Sequence, residues 1–196
     1  MWDERYSGAG YAYGTEPNDF LKSVTDKLPS GKALSIGEGE GRNAVWLAQQ
    51  GFDVTAVDAS SVGLQKARRL ARERGVTIET VHADLADYSI EPVTWDVIVS
   101  IFCHLPPPLR RDVHARTVAG LKPGGAFVLE AYTPAQLALA TGGPSTEELM
   151  MSLRLLSEEL AGLKFIHAAE LQRTVTEGNH HDGTAAVVQV LGIKPR

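Results

Sequence analysis

Residues 33–48 read Ala33-Leu-Ser-Ile-Gly-Glu-Gly-Glu-Gly-Arg-Asn-Ala-Val-Trp-Leu-Ala48. The first residues of this stretch predict a short buried strand, and the apolar residues near its end predict an amphipathic helix that stops at Gly51. Between them lie three glycines at alternate positions: Gly37, Gly39 and Gly41. A strand, a glycine turn and a helix form the nucleotide-binding corner of a doubly wound α/β sheet, where the helix N-terminus offers free N–H groups to a ligand.

The spacing and charge of this turn indicate which cofactor it binds. A dinucleotide fingerprint reads Gly-x-Gly-x-x-Gly, whereas Arg42 stands where the third glycine would be. Glu38 and Glu40 lie inside the turn, and their carboxylates would repel a pyrophosphate but not a sulfonium or an ammonium group. S-adenosylmethionine carries both cations and no phosphate. The turn therefore favours S-adenosylmethionine over NAD.

Composition and charge indicate one ordinary globular domain. The 196 residues suffice for a single α/β domain, and the apolar content of 43% and charged content of 22% are typical. No apolar run of about 18 residues occurs, which predicts no membrane span, and no signal peptide is evident. A net charge of −5 argues against nucleic acid as a substrate. The single cysteine, Cys103, fits a reducing cytoplasm.

The first 16 residues are too aromatic for a disordered tail. They contain four large rings among several glycines: Trp2, Tyr6, Tyr11 and Tyr13. Two interpretations stay open, a segment packed on the edge of the domain or a lid that closes over a ligand. As a lid, the segment would bring its three tyrosines to the substrate side.

A second strand is predicted over residues 52–58, ending in Asp58. Asp58 lies about 20 residues past the first glycine, which suits a carboxylate that accepts both ribose hydroxyls of an adenosine. The alternative is an N-cap for the next helix, although Ser60 or Ser61 could provide that cap. Ala59 is expected beside the ribose. The basic residues of this helix are expected on its solvated face: Lys66, Arg68, Arg69, Arg72 and Arg74.

The third strand is predicted over residues 76–81, and Ala83-Asp-Leu85 follows its carboxyl end. An acid at this place can accept a hydrogen bond from an adenine amino group. Asp84 is therefore the candidate adenine-binding residue, and the alternative is an acid that caps its own loop.

The fourth strand is predicted over residues 95–101 and is apolar on both faces, hence central. In open α/β sheets ligands bind outside such carboxyl ends, beside the first strand. This topology places Phe102, Cys103 and His104 at the site. Cys103 is expected to be a buried thiol, and His104 is the candidate acid-base or substrate-orienting group. The alternative for His104 is a satisfied structural histidine.

The rest of the chain completes the sheet. Helices are predicted over residues 17–27, 106–121 and around 149–156, a fifth strand over 126–132, and two closing strands over 164–176 and 184–193. His180 and His181 stand between the closing strands beside acids. Without a third spaced ligand, a hairpin turn near the acceptor side is favoured over a metal site.

Five stretches together carry a family resemblance. They are Ser35-Ile-Gly-Glu-Gly-Glu-Gly41, Val57-Asp58, Ala83-Asp-Leu85, Phe102-Cys-His-Leu105 and Leu121-Lys-Pro-Gly-Gly125. Through them the whole chain resembles a class I S-adenosylmethionine-dependent methyltransferase. The patterns Tyr13-Gly-Thr-Glu-Pro-Asn18 and Glu177-Gly-Asn-His180 add a likeness to small bacterial tellurite-resistance and thiopurine methyltransferases.

The resemblance implies a Rossmann-like, doubly wound three-layer α/β sandwich. Its seven-stranded, mostly parallel sheet would have the order 3-2-1-4-5-7-6 with an antiparallel seventh strand. Residues 1–196 would be one domain, with residues 1–16 as the candidate lid. The implied cofactor-binding residues are Gly37, Glu38, Gly39, Gly41, Arg42, Asn43, Asp58, Ala59, Ala83, Asp84, Leu85 and Phe102.

One position departs from the family pattern. The wider family carries an acid where Ser35 stands, and that acid holds the amino group of the methionine moiety. In this chain Glu38, Glu40 or backbone carbonyls would have to hold it.

The predicted function is methyl transfer from S-adenosylmethionine to a small molecule, which leaves S-adenosylhomocysteine. A soft anion such as a thiolate, selenite or tellurite needs no general base, whereas a hydroxyl or amine would need one, and His104 is the candidate. Alternatives are a non-catalytic binder of the same ligands and, less favoured, an NAD-dependent oxidoreductase. We expect a cytoplasmic monomer or weak homodimer with no metal and no nucleic-acid or membrane partner.

Overall fold

The computed structural model describes residues 2–139, 141–178 and 181–196. Within them the chain forms seven strands: β1 (Lys32–Ile36), β2 (Asp53–Asp58), β3 (Glu79–His82), β4 (Trp95–Ile101), β5 (Leu121–Tyr132), β6 (Lys164–Glu177) and β7 (His181–Ile193). The same residues form six α-helices: α1 (Trp2–Arg5), α2 (Asp19–Val24), α3 (Arg42–Gln49), α4 (Ser61–Glu73), α5 (Pro107–Gly120) and α6 (Leu153–Glu159). Short 3-10 helices lie at Thr25–Lys27, Pro134–Ala138 and Glu147–Leu149.

The strands make one sheet in the order β3-β2-β1-β4-β5-β7-β6. β1 pairs in parallel with β2 and β4, and β3 and β5 extend the parallel part on either side. β7 runs antiparallel to both β5 and β6. The predicted fold and strand order are confirmed. The carboxyl ends of the five parallel strands therefore lie along one edge of the sheet.

Two apolar layers cover the sheet, one on each face. Successive residues of β4 alternate between them, so that Val97 belongs to one layer and Ile98 to the other. α2 and α3 cover the first layer, with Leu47 fully buried, and α5 and α6 cover the second, with Leu156 fully buried. A parallel sheet buried on both faces needs such apolar strands. In the described part of the chain, no helix is long and apolar enough to cross a membrane.

Two predicted strand boundaries are wrong. β3 begins at Glu79 instead of Val76, because the N–H of Val76 still bonds to Ala71 at the end of α4, at 2.9 Å. β5 begins before Ala126, because Leu121 already pairs with Trp95 ahead of a register shift. The Lys-Pro-Gly-Gly stretch that ends at Gly125 lies inside this irregular strand.

In the last third of the chain, the strands and the helix also differ in length from the predicted ones. β6 and β7 are longer than expected, which shortens the turn between them. The helix predicted around residues 149–156 begins only at Leu153, where the Ser152 hydroxyl accepts a hydrogen bond from the N–H of Leu155 at 3.2 Å. Met150 and Met151 are buried just ahead of it.

A buried polar cluster joins the ends of several elements. Glu130, near the carboxyl end of β5, is fully buried, and its carboxylate accepts hydrogen bonds from Asn18, Arg173 and Gln189. These partners come from the start of α2, from β6 and from β7. Removing one partner from such a cluster leaves a buried charge without compensation.

We expect Arg173→Met to lower the free energy of unfolding by about 3–5 kcal/mol, because the Glu130 carboxylate would stay buried without its cation. The matched control is Arg154→Met, which removes an exposed i,i+4 pair with Glu158 and should cost about 0.5 kcal/mol or less. Urea unfolding of both variants measures the difference. Equal losses in the two variants would contradict a role for this ion pair in stability.

Candidate cofactor site

The glycine turn (residues 37–41) connects the carboxyl end of β1 to α3. Within it, the side chain of Glu38 lies against the first turn of α3. Its Oε1 accepts hydrogen bonds from the backbone N–H groups of Asn43 and Ala44, each at 3.0 Å, and its Oε2 accepts one from the Ser35 hydroxyl. Burial raises the pKa of the Glu38 carboxyl, and these hydrogen bonds oppose the rise without cancelling it.

The N-terminus of α3 is therefore occupied by a carboxylate of its own chain. The sequence predicted free N–H groups at this place, and that prediction is wrong for Asn43 and Ala44. In dinucleotide-binding folds such donors bind the pyrophosphate. A phosphate would have to displace Glu38 to reach them. The residues present fit a ligand that carries no phosphate, such as S-adenosylmethionine.

Asp58 ends β2 beside the turn, and backbone donors fix both of its carboxylate oxygens. Oδ2 accepts the N–H of Gly39 at 2.8 Å, and Oδ1 accepts the N–H of Ser60 at 2.7 Å. Each oxygen retains a second lone pair that can accept from a ligand hydroxyl. Asp58 does not cap α4, because the Ser60 hydroxyl accepts the N–H of Gly63 there. Burial raises the pKa of Asp58, although its two backbone hydrogen bonds act in the opposite direction.

The loop after β3 lies against Asp58. The N–H of Ala83 donates to the Asp58 carbonyl oxygen at 3.1 Å, and Leu85 is buried in the core. Asp84 is exposed, and its Oδ1 accepts the N–H of Ala86 at 2.8 Å. This contact is the loop cap named as the alternative for Asp84, so adenine binding by Asp84 stays a prediction.

The other predicted cofactor residues lie around the same turn. Arg42 and Asn43 are buried in the first turn of α3, and the Asn43 side-chain oxygen accepts the N–H of Asn18 at 2.9 Å. Ala59 is exposed directly after β2, with the His82 ring 3.0 Å from its carbonyl oxygen. Their contacts are internal, and their roles toward a cofactor stay predictions.

Glu40 and Lys66 form a buried ion pair, with 2.8 Å between Oε1 and Nζ, that joins the glycine turn to α4. Both also bind the N-terminal segment (residues 2–16) through its backbone. Glu40 Oε2 accepts the N–H of Ala12 at 2.7 Å, and Lys66 Nζ donates to the carbonyl of Gly10 at 2.6 Å. The prediction that Lys66 lies on a solvated face is wrong, because its side chain is only 11% exposed. We call these two side chains, Glu40 and Lys66, the latch.

Tyr6 of the N-terminal segment covers the glycine turn. A Cβ at Gly39 would lie 2.6 Å from the Tyr6 hydroxyl, so this approach requires glycine. Trp2 stacks on Tyr6 with 5.7 Å between ring centroids, and Tyr13 packs edge-on at 6.4 Å. Burial and then the charge of Asp58 raise the pKa of Tyr6. The carboxylates of Asp58 and Glu38 at this turn favour a cationic ligand.

Tyr11 lies on α4 and not on the turn. Its hydroxyl donates to the Lys66 carbonyl at 3.4 Å, and the guanidinium carbon of Arg69 lies 5.0 Å from the centre of its ring. Of the three tyrosines predicted for the lid, Tyr6 and Tyr13 therefore cluster at the turn, and Tyr11 anchors the segment to the helix.

The β6–β7 hairpin extends past the end of β5 and meets the N-terminal segment. A Cβ at Gly178 would lie 2.4 Å from the carbonyl oxygen of Ala12 and 2.6 Å from the Cα of Tyr13. Only glycine allows the two chains to approach so closely. His180 lies outside the described residues, and so does the side chain of His181.

The residues after β4 lie at the same edge of the sheet. Phe102 has a φ of 51°, a left-handed conformation that strains a bulky residue, and its ring centroid is 4.6 Å from that of Tyr132. The Cys103 sulfur lies against Gly37. Burial raises the pKa of Cys103 to about 12, so the thiol stays protonated and unreactive at neutral pH.

Both ring nitrogens of His104 contact backbone groups. Nδ1 lies 2.9 Å from the Leu149 carbonyl oxygen and must donate to it, and Nε2 accepts the N–H of Tyr132 at 3.4 Å. These partners match a neutral ring protonated on Nδ1. The contacts are those of a structural histidine, and a general base would have to release Tyr132. Its acid-base role stays a prediction.

The relatives found by comparison with known proteins include methyltransferases. Residues 33–125 match the family described as a methyltransferase domain. The 2-heptyl-1-hydroxyquinolin-4(1H)-one methyltransferase of Mycobacteroides abscessus is 26% identical over 137 residues, covering 68% of this chain and 60% of that protein. The chain thus spans less than two thirds of this curated relative.

Two solved structures share the fold. The first is a structure described as concerning the conversion of a disulfide bond into a thioacetal group during echinomycin biosynthesis. It has a TM-score of 0.80 and 17% identity, and the match covers 99% of this chain and 91% of that one. The other is TehB from Haemophilus influenzae, with a TM-score of 0.71, 20% identity, and coverage of 90% and 61%. At these identities the likeness concerns the fold.

We expect the double variant Glu40→Gln, Lys66→Met to free the N-terminal segment while the domain stays folded, because it removes the latch without leaving one buried charge alone. Amide hydrogen exchange at Ala12 should accelerate about tenfold or more, equivalent to ~1.4 kcal/mol of local opening. Arg72→Met, an exposed change on the same helix, is the control. Unchanged exchange at Ala12 would show that the latch does not hold the segment.

Proposed function

Residues 33–125 belong to the methyltransferase domain family, and on that premise we propose that the chain transfers a methyl group from S-adenosylmethionine to a small molecule. The class and the cofactor are those predicted from the sequence, and the comparisons confirm both. The activity of the whole chain and its acceptor are proposals, because the chain spans only 60% of its curated relative.

Several residues fit the cofactor. When bound, S-adenosylmethionine supplies an activated methyl group on a sulfonium. Asp58 would accept the ribose hydroxyls through its remaining lone pairs, and its charge with that of Glu38 favours a cation. Because Glu38 and Glu40 already have internal partners, we assign the ammonium group to backbone carbonyls of the glycine turn.

We propose a soft acceptor, such as a thiolate or an oxyanion of selenium or tellurium. The observation that carries this is the state of His104, whose two ring nitrogens both contact backbone groups. A nucleophile that is already an anion at neutral pH needs no base. The partly exposed ring of Phe102, which lies at the same edge of the sheet, would offer a polarisable, uncharged surface for it.

A hydroxylated acceptor is the second candidate. The relative from Mycobacteroides abscessus is named for a compound that carries a hydroxyl group. Such an acceptor would need a proton acceptor, and His104 Nε2 could serve only after losing its 3.4 Å contact with Tyr132. The two candidates therefore differ in what a change at His104 should do.

We propose that the N-terminal segment is a lid. Tyr6 covers the turn, the latch holds the backbone of residues 10–12, and Gly178 receives the segment on the hairpin side. A lid would exclude water around the reacting groups and hold them in place. Its opening would admit the cofactor to the buried turn.

The other expectations have weaker support. A non-catalytic binder would share the glycine turn and Asp58, and only turnover separates it from an enzyme. An NAD oxidoreductase is disfavoured by Glu38 at the start of α3. A cytoplasmic location, a monomer or weak homodimer, and the lack of nucleic-acid or membrane partners stay predictions.

Asp58→Ala should weaken the binding of S-adenosylhomocysteine about 10- to 100-fold, since each charge-assisted hydrogen bond to a ribose hydroxyl is worth roughly 1.5–3 kcal/mol. The matched control is Asp53→Ala at the exposed, opposite end of β2, which should change affinity less than about twofold. Isothermal calorimetry measures both, and NAD should give no binding heat. Unchanged affinity in Asp58→Ala would refute the ribose role.

An acceptor panel of thiophenol, selenite, tellurite and catechol tests the reaction, with formation of S-adenosylhomocysteine as the readout. The wild-type chain should turn over a sulfur, selenium or tellurium acceptor. With such an acceptor, His104→Gln should lower kcat less than about tenfold, whereas loss of a general base would cost roughly 100- to 10,000-fold. Turnover of catechol alone would favour the hydroxyl candidate, and no turnover at all would favour the non-catalytic binder.

A further inference from the structure

A buried charged cluster lies between α5 and α6, outside the cofactor site. Arg110 in the first turn of α5 forms a two-pronged pair with Glu159 of α6, with 3.1 Å from Nη2 to Oε1 and 3.1 Å from Nε to Oε2. His114 Nδ1 lies 2.7 Å from Glu159 Oε2. All three side chains are at most 7% exposed. Burial tends to raise the pKa of Glu159, but the hydrogen bonds from His114 and Arg110 outweigh it and lower the pKa.

The same arginine also reaches the acceptor side. Arg110 Nη1 donates to the carbonyl of Glu148 at 2.9 Å, and the next carbonyl, that of Leu149, receives the Nδ1 proton of His104 at 2.9 Å. Two consecutive carbonyls are thus held by two side chains, His104 from the loop after β4 and Arg110 from the first turn of α5. We call residues 147–151 the wall segment.

The far end of the wall segment is fixed to the sheet. The N–H of Met151 donates to the Tyr132 carbonyl at 2.9 Å, and Met150 is buried in the cluster that contains Tyr132 and borders Phe102. The wall segment therefore lies at the carboxyl ends of β4 and β5, the edge to which β1 brings the glycine turn.

Stability alone is a weak reason for this cluster. Buried ion pairs are often no more stabilising than apolar residues of the same size, and in some proteins they serve to specify one geometry. The forked guanidinium holds Glu159 with one edge and the Glu148 carbonyl with another, which a lysine ammonium cannot reproduce. The contacts of this cluster fix the position of the Glu148 carbonyl.

We propose that Arg110 is a positioning residue for the acceptor, one that sets the wall segment and, through it, the ring of His104. This rests on the proposed function, because the wall matters only if an acceptor binds there. Glu159 and His114 orient Arg110 in turn. The cofactor half of the site, built on β1 and β2, should not depend on them.

The test is Arg110→Lys, which keeps the positive charge beside Glu159 and loses the fork. For the acceptor turned over fastest in the panel above, kcat/KM should fall roughly 10- to 100-fold, as expected for a small misplacement of reacting groups. Affinity for S-adenosylhomocysteine should change less than about twofold. Arg111→Lys, the exposed neighbour on α5, is the control and should leave both values unchanged.

A second readout needs no turnover. The ¹⁵N NMR signals of His104 in the wild type should show a proton held on Nδ1, and Arg110→Lys should shift these signals and speed exchange of that proton. If the panel gives no turnover, the proposed function fails while this measurement still decides the positioning of His104. Unchanged His104 signals, or an equal loss of affinity for S-adenosylhomocysteine, would overturn the proposal.

A double variant covers the case in which Arg110→Lys does not fold. Arg110→Gln with Glu159→Gln removes both charges, so that neither remains buried alone, and two amides can still hydrogen-bond to each other. It should reproduce the loss in kcat/KM and the change in the His104 signals. Wild-type values for both in this variant would also overturn the proposal.

Discussion

The carboxylate of Glu38 at the N-terminus of α3 is the contact on which the rest of the site depends. A helix start between two buried strands needs its free N–H groups satisfied, because unpaired donors are costly away from water. This chain supplies the anion itself, from the glycine turn, and ties it to β1 through Ser35. One side chain thus satisfies the start of the helix and occupies two donors that a phosphate would need.

Much of the fold could be predicted from local pattern. Apolar runs mark the central strands because both faces of a parallel sheet are covered, and Asp58 could be placed because it ends such a run. The boundaries of β3 and β5 could not be predicted in this way. The start of β3 depends on a bond between Val76 and the end of α4, and the start of β5 depends on its pairing with β4. Asp58 does lie beside the glycine turn, as predicted. The effect of Glu38 was expected to be long-range repulsion and is instead direct occupation of two donors.

Two residues show what the sequence conceals. Lys66 stands in a run of basic residues that suits a solvated helix face, yet its partners are Glu40 and a backbone carbonyl 56 residues away. His104 is held by a carbonyl 45 residues along the chain, in a segment with no recognisable motif. Contacts to backbone leave no trace in residue type, so neither could be inferred before the chain was folded.

The latch leaves residue type free to vary at the positions of the N-terminal segment that it binds. Glu40 and Lys66 grip a peptide N–H and a peptide carbonyl, which nearly every amino acid supplies. A side chain added at Gly10 would meet no atom within 4 Å. Gly10 and Ala12 can therefore be replaced by other residues without loss of these two backbone hydrogen bonds. The N-terminal segment can thus change in residue type at these two positions while its attachment to the glycine turn and to α4 stays the same.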